Sequence, residues 1–125
     1  MEKIDIEAAT KIIEQRNKEF SEALKNEDSI AVGDIYAKDS KKIGAYEGRD
    51  NLIKEVNELI RDRVTDIRIE IINIWGNENI IIEDAYVEFY HIDGTLKSKG
   101  NSLFVWRKEG DKWRIFRDVY KPEKK

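Results

Sequence analysis

Asp118 is the residue in this chain best placed to carry proton chemistry. It lies in the run Lys112-Trp113-Arg114-Ile115-Phe116-Arg117-Asp118-Val119-Tyr120, and a carboxyl group held among aromatic rings loses solvation, which favours its neutral form and raises its pKa. Glu88 is the second acid with the same alternation. A pair of carboxyls with separated pKa values can serve as acid and base, each contributing ~10²–10⁴-fold in rate. Tyr36, Tyr86 and Tyr120 are suitable donors to a carbonyl or enolate oxygen. Each has a plainer role beside this one. Asp118 could be a structural acid bonded to Tyr36, Tyr86 or an arginine on a helix, Glu88 an exposed rim residue, and the tyrosines core residues with their hydroxyls satisfied at its edge.

Other chemistries find little support. The chain has no cysteine and one histidine, so thiol nucleophiles, disulfides and thiolate metal sites are excluded and a metal site or cofactor is not expected. His91 precedes Ile92-Asp93-Gly94, a hairpin tip, where exposure is the natural reading. Ser102 has no histidine partner for a triad, and no glycine-rich phosphate loop occurs. With 23 basic and 26 acidic residues, the net charge of −3 leaves no electrostatic footprint for nucleic acid. No apolar run reaches the ~20 residues of a membrane span. The opening Met-Glu-Lys-Ile-Asp-Ile-Glu lacks the apolar stretch of a secretion signal, which sets a cytoplasmic protein as the expectation. Charged residues make up 39% of the chain, a balance found in proteins from hot environments.

The elements that must position these residues are legible in the hydrophobic period. Ala9, Ile12, Ile13, Arg16, Phe20, Ala23 and Leu24 recur at helical spacing and predict a first helix over 5–25, ended by Asn26. Asp28 can cap a short second helix containing Ile30, Ala31, Ile35 and Tyr36. A break at 37–40 and a brief strand over 41–46 follow. A third helix begins near Asp50, with Leu52, Ile53, Val56, Leu59 and Ile60 inward and a charged outer face. From Thr65 the period changes to two. Strands are predicted over 67–71, 80–90, 97–108 and 112–120, separated by turns at Gly76-Asn77, Asp93-Gly94 and Glu109-Gly110-Asp111, with Pro122 closing the last. All 125 residues therefore form one α+β domain.

This series resembles the nuclear transport factor 2-like superfamily, in particular its SnoaL-like and ketosteroid-isomerase-like branch. The residues that carry the resemblance are Tyr36-Ala37-Lys38-Asp39, Glu47-Gly48-Arg49, Asp84-Ala85-Tyr86, the run from Gly100 to Trp106 and the run from Lys112 to Tyr120. It implies a cone in which three helices pack into a strongly curved, mostly antiparallel sheet, with a pocket at the open end and dimers formed through the convex face. The family hosts isomerases, cyclases, dehydratases and non-enzymatic assembly domains, so the fold does not select an activity. Tyr36 matches the oxyanion tyrosine of ketosteroid isomerases only loosely, and nothing here matches their base.

Alternation along the last strands yields two sets. The odd set contains Ala85, Val87, Phe89, Leu103, Val105, Trp113, Ile115 and Val119; the even set contains Asp84, Tyr86, Glu88, Tyr90, Ser102, Phe104, Trp106, Phe116, Asp118 and Tyr120. Both carry large apolar groups, so both faces should be covered. The resemblance favours the even set as pocket wall: Asp118 and Glu88 as acid-base residues, with Tyr36, Tyr86, Phe104, Trp106, Phe116 and Tyr120 around the ligand. It places Val87, Phe89, Leu103, Val105 and Ile115 in a homodimer interface. The opposite assignment, odd set as ordinary core, remains open. In the related association domain of calcium/calmodulin-dependent protein kinase II, arginines stand at the positions of Glu88, Phe104 and Tyr120; their absence here points to a small, mostly uncharged ligand. Two functions follow: a binding or assembly module without turnover, or an isomerase-, cyclase- or dehydratase-type enzyme acting on a carbonyl substrate.

Overall fold

The helices form where the apolar period and the caps agree. In the computed structural model, which describes residues 5–124, helix α1 spans Ile6–Lys25 and buries Ala9, Ile13, Phe20, Ala23 and Leu24 along one stripe. The Asp5 carboxylate accepts the Glu7 amide at 2.9 Å, and Asn26 closes the far end. Helix α2, Ser29–Ile35, is capped in the same way by Asp28, which accepts from the Ala31 amide at 3.0 Å. Helix α3, Arg49–Arg61, turns Leu52 and Val56 into the core. Among the described residues, no helix is long and apolar enough to cross a membrane.

Six strands build one mixed sheet in the order β2-β1-β6-β5-β4-β3: β1 Tyr36–Lys42, β2 Tyr46–Glu47, β3 Val64–Gly76, β4 Ile80–His91, β5 Leu96–Glu109 and β6 Lys112–Pro122. The α+β class and the antiparallel β3–β6 meander agree with the sequence. The beginning of the sheet does not. Tyr36 leaves the helix and opens β1, and residues 37–40 are strand rather than break. The strand is held to β6 in parallel at its two ends, where Tyr36 lies opposite Ile115 and Lys42 opposite Asp118. The register shifts between Tyr36 and Lys41, so the expected break survives as an irregularity within β1. Pairing also runs to Pro122, opposite Gly100, where the sequence suggested an earlier stop.

Neither parity faces the core throughout. Residues directly opposite in an antiparallel pair share a face, and Ala85 lies opposite Ser102. An odd position thus meets an even one, so Glu83, Ala85 and Val87 point inward on β4 while Ser102, Phe104 and Trp106 do so on β5. Trp106 opposes Ile115, which keeps Trp113 and Ile115 inward; the register then slips by one residue at Phe116, so that Phe104 opposes Asp118 and Ser102 opposes Tyr120. Val87 and Ile115 are fully buried and Phe89 packs on the core, which removes all three from the expected convex interface. Leu103 and Val105 do lie on that outer face.

The sheet closes most tightly where β5 meets the end of β6. A Cβ on Gly100 would sit 2.1 Å from the Lys121 carbonyl oxygen and 2.7 Å from Pro122 Cα. Backbone cannot yield as a side-chain tip does, so Gly100→Ala is expected to lower stability by about 1–3 kcal/mol. Urea unfolding of the two proteins checks this; an unchanged midpoint would show that the strands part without cost.

Candidate functional site

Three adjacent strands bring two carboxyl groups and a ring into one row: Glu83 on β4, Phe104 on β5 and Asp118 on β6. Both acids are buried, Glu83 at 0% and Asp118 at 4% exposure. Each is held by groups from the elements packed against the sheet. Asn17 of α1 donates from Nδ2 to Glu83 Oε2 at 2.8 Å, and Trp106 Nε1 donates to Oε1 at 2.9 Å. The Tyr36 hydroxyl donates to Asp118 Oδ2 at 2.8 Å. Tyr36 is in turn fixed by Arg49 at the start of α3, whose guanidinium donates to the Tyr36 carbonyl at 2.7 and 3.1 Å.

Asp118 is the group poised for chemistry. Burial pushes its pKa up to about 6; the Lys42 ammonium and the Tyr36 hydrogen bond pull against that rise, and Glu55 adds to it. Its second oxygen, Oδ1, is buried with no hydrogen-bond partner. Burial and the neighbouring Asp118 charge hold the Tyr36 and Tyr46 hydroxyls well above the ordinary tyrosine range, so both remain donors. The Tyr46 hydroxyl is buried beside that of Tyr36. Burial also raises Glu83, against the two bonds from Asn17 and Trp106.

Asp118 lines an internal cavity of about 40 Å³. Its walls are Phe20 and Leu24 of α1, Tyr36, Leu52, Val56 and Leu59, then Ile67, Val87, Phe89, Ser102, Phe104 and Tyr120 of the sheet. Lys42 and Glu55 complete the lining and form a partly exposed ion pair at 3.0 Å. The volume suits a few water molecules. Tyr120 is fixed by a 2.6 Å contact between its hydroxyl and Ser98 Oγ, and by an edge-on contact with Phe89 at 5.6 Å between centroids.

The expected site residues divide accordingly. Asp118, Tyr36, Phe104 and Tyr120 converge on the cavity. Trp106 points inward but acts through Glu83. Glu88, Tyr86 and Phe116 lie on the other face. Glu88 accepts from the Tyr90 hydroxyl at 2.9 Å and sits opposite Arg68. Tyr86 is paired between Glu70 and Asn101. Phe116, the residue at the register slip, is covered by the Arg107 and Arg117 guanidiniums at 4.3 and 3.9 Å from its centroid. Even-in therefore fails on β4 and at Phe116, because pairing parity and the bulge decide orientation there. Glu83, Lys42, Glu55 and Tyr46 were missed. Glu83 follows Ile80-Ile81-Ile82, and an acid closing an apolar run is the signal that could have exposed it.

This architecture is the nuclear transport factor 2-like fold. A protein described as having a cystatin-like fold from Nostoc punctiforme superposes with a TM-score of 0.74 at 16% identity, over 91% of this chain and 90% of that one. An NTF-2-like protein of unknown function from Shewanella oneidensis gives 0.76 at 18% identity, over 90% and 98%. Another, from Pseudomonas putida, gives 0.73 at 13% identity, over 93% and 88%. No protein-family model matches the chain, and no curated protein matches its sequence.

Two measurements probe the row of acids. Native Asp118 holds its proton to about pH 6 against 3.8 for the unperturbed group. The native state thus binds more protons than the unfolded one between those values, and stability falls as pH rises through that window, by up to about 3 kcal/mol. Asp118→Asn should flatten this part of the stability–pH curve; a wild-type slope retained in the variant would assign the effect elsewhere. Tyr36→Phe removes the donor that favours the carboxylate, so the Asp118 pKa, followed by carboxyl carbon NMR, should rise above the wild-type value. A fall or no change would contradict the Tyr36–Asp118 bond.

Proposed function

We propose that this protein binds a small, mostly uncharged molecule in the Asp118 cavity, without obligatory turnover. The observation that carries the reading is the unpartnered Asp118 Oδ1 in the wall of an otherwise largely apolar, aromatic-lined space. A buried polar atom left unbonded costs about 1–3 kcal/mol, and a ligand hydroxyl or amide N–H directed at it recovers that energy. Protonated, the same carboxyl donates to a ligand carbonyl. The cavity's small volume requires that the ligand part the Lys42–Glu55 ion pair and widen the space between β1 and α3. The lining holds no arginine, and its one ammonium, Lys42, is balanced by the Glu55 carboxylate beside it, which supports a neutral ligand over an anionic one.

A second reading, general acid-base catalysis on a carbonyl substrate in the manner of an isomerase, cyclase or dehydratase, is favoured by the Asp118 pKa of about 6. A group titrating near neutrality can both give and take a proton. The binding reading stands ahead of it because the second acid, Glu83, has both oxygens engaged and does not line the cavity.

The same proposal includes a homodimer through the outer sheet face. Ile82 lies opposite Trp75 and Val105, and Leu103 lies opposite Val119, so these residues form one apolar surface. Trp75, Leu103 and Val119 are 51%, 42% and 39% exposed, a contiguous patch of the kind monomers seldom leave uncovered.

A fragment set of small neutral ketones, amides and alcohols, followed by amide NMR shifts, tests the binding reading. Shifts centred on Val87, Ser102, Phe104 and Asp118, and lost in Asp118→Ala, are the expected result. Fragments that bind only elsewhere, or that bind the variant equally, would overturn it.

A further inference from the structure

We infer that the free edge of β3 is a second self-association surface, on which two copies of this chain pair antiparallel about Ile69. This rests on the strand's own pattern and not on the cavity.

Among the described residues β3 ends the sheet, with β4 on one side and no strand on the other. From Ile67 to Ile71 its pairing with β4 is regular, between irregularities at Val64/Asp66 and Ile71/Asn73. Among the described residues, one hydrogen bond reaches the far side of this stretch, from Ser21 Oγ to the Ile67 carbonyl at 3.1 Å. That bond shows which way the carbonyl points. Ile67, and with it Ile69 and Ile71, directs its backbone groups away from β4, so the edge offers alternating donors and acceptors, of which the Ile67 carbonyl already accepts from Ser21 and keeps its second lone pair for a strand partner.

The sequence of this edge, Ile67-Arg68-Ile69-Glu70-Ile71, is self-complementary. Antiparallel pairing about a two-fold axis at Ile69 sets Arg68 opposite Glu70 of the second copy, twice, and Ile67 opposite Ile71. Those odd residues are the ones whose backbone groups face outward, so the register that matches the charges also matches the hydrogen bonds. A shift of one residue would place the backbone bonds on groups already used by β4. Arg68 and Glu70 are both exposed on the outer face; Arg68 bonds Asp66 at 3.3 Å and lies over the Tyr90 ring at 4.3 Å, solvent-exposed contacts that a Glu70 carboxylate across the axis would join or replace. On the inner side, an open groove of about 970 Å³ separates α1 from β3, lined by Asn17, Ser21, Ile69 and Ile71 among others. It leaves room for the isoleucines of the incoming strand, and the buried Asn17 Oδ1 beside it has no partner. Net charge on the edge pair is zero, which suits a second copy better than a strongly charged peptide.

Sedimentation of a Leu103→Asp background, which removes the outer-face contact, tests this directly. That variant should remain a dimer. Adding Arg68→Glu should weaken it by about tenfold or more, since two attractive pairs become repulsive, and adding Glu70→Arg to that protein should restore it. A monomeric Leu103→Asp protein, or association indifferent to the charge reversal, overturns the inference; so does capture of an unrelated strand peptide with no self-association. If the wild type is a dimer and Leu103→Asp leaves it a dimer, the outer-face contact fails and the edge contact stands. Hydrogen exchange on the wild type gives an independent readout: the Ile69 and Ile71 amides should be slow in the associated protein and fast on dilution, and exchange fast at every concentration would refute the pairing.

Discussion

Carboxyl groups are costly inside a protein unless donors meet them, and this one keeps Glu83 and Asp118 on either side of Phe104. The requirement ties distant parts of the chain together. Asn17 must come from α1, Tyr36 from the first residue of β1 and Trp106 from β5, and Arg49 must hold the Tyr36 backbone from α3. Moving any of these elements by a fraction of a hydrogen bond's length would strand a buried acid. The helices are therefore positioned by polar contacts as well as by the apolar stripe of α1. Asp118 Oδ1 is the exception within that arrangement, left without a hydrogen-bond partner among the described residues.

The two acids have separate tasks because their surroundings differ. Glu83 has a donor on each oxygen and serves as a joint between helix and sheet. Asp118 has one donor, an open lone pair, and an ammonium and a carboxylate from Lys42 and Glu55 within electrostatic reach. The first is spent on structure; the second retains capacity. That contrast separates them as candidates more clearly than burial, which is nearly equal for both.

Local features were legible in the sequence because local physics sets them. The caps at Asp5 and Asp28, the α1 stripe and the hairpin turns all sit where residue types and spacing place them. Asp118, Tyr36, Phe104 and Tyr120 were recognisable for a similar reason: polar-tipped or acidic groups stood among rings. Orientation was not legible. Alternation shows that two faces exist, but which strand's odd residues join which strand's even residues depends on loop length and on single-residue bulges. One slip at Phe116 sends Asp118 inward while Ile115 also stays inside. Glu88 and Tyr86 were assigned to the pocket by a parity that holds on β5 and reverses on β4. Lys42 and Glu55 gave no local sign, since their meeting depends on the packing of β1 against α3.

The strand order has a consequence for how such a chain comes off the ribosome. β6, synthesised after all the other strands, lies between β1 and β5 rather than at an edge. Until it emerges, β1 has no long strand to pair with, the β3–β5 meander exposes its inner edge, and Tyr36 waits for a carboxylate 82 positions downstream. Such long-range closure is slow relative to helix formation and favours folding as a single late event. A nascent chain stalled before Lys112 would hold its helices and two open sheet edges, a state more suited to chaperones than to ligands.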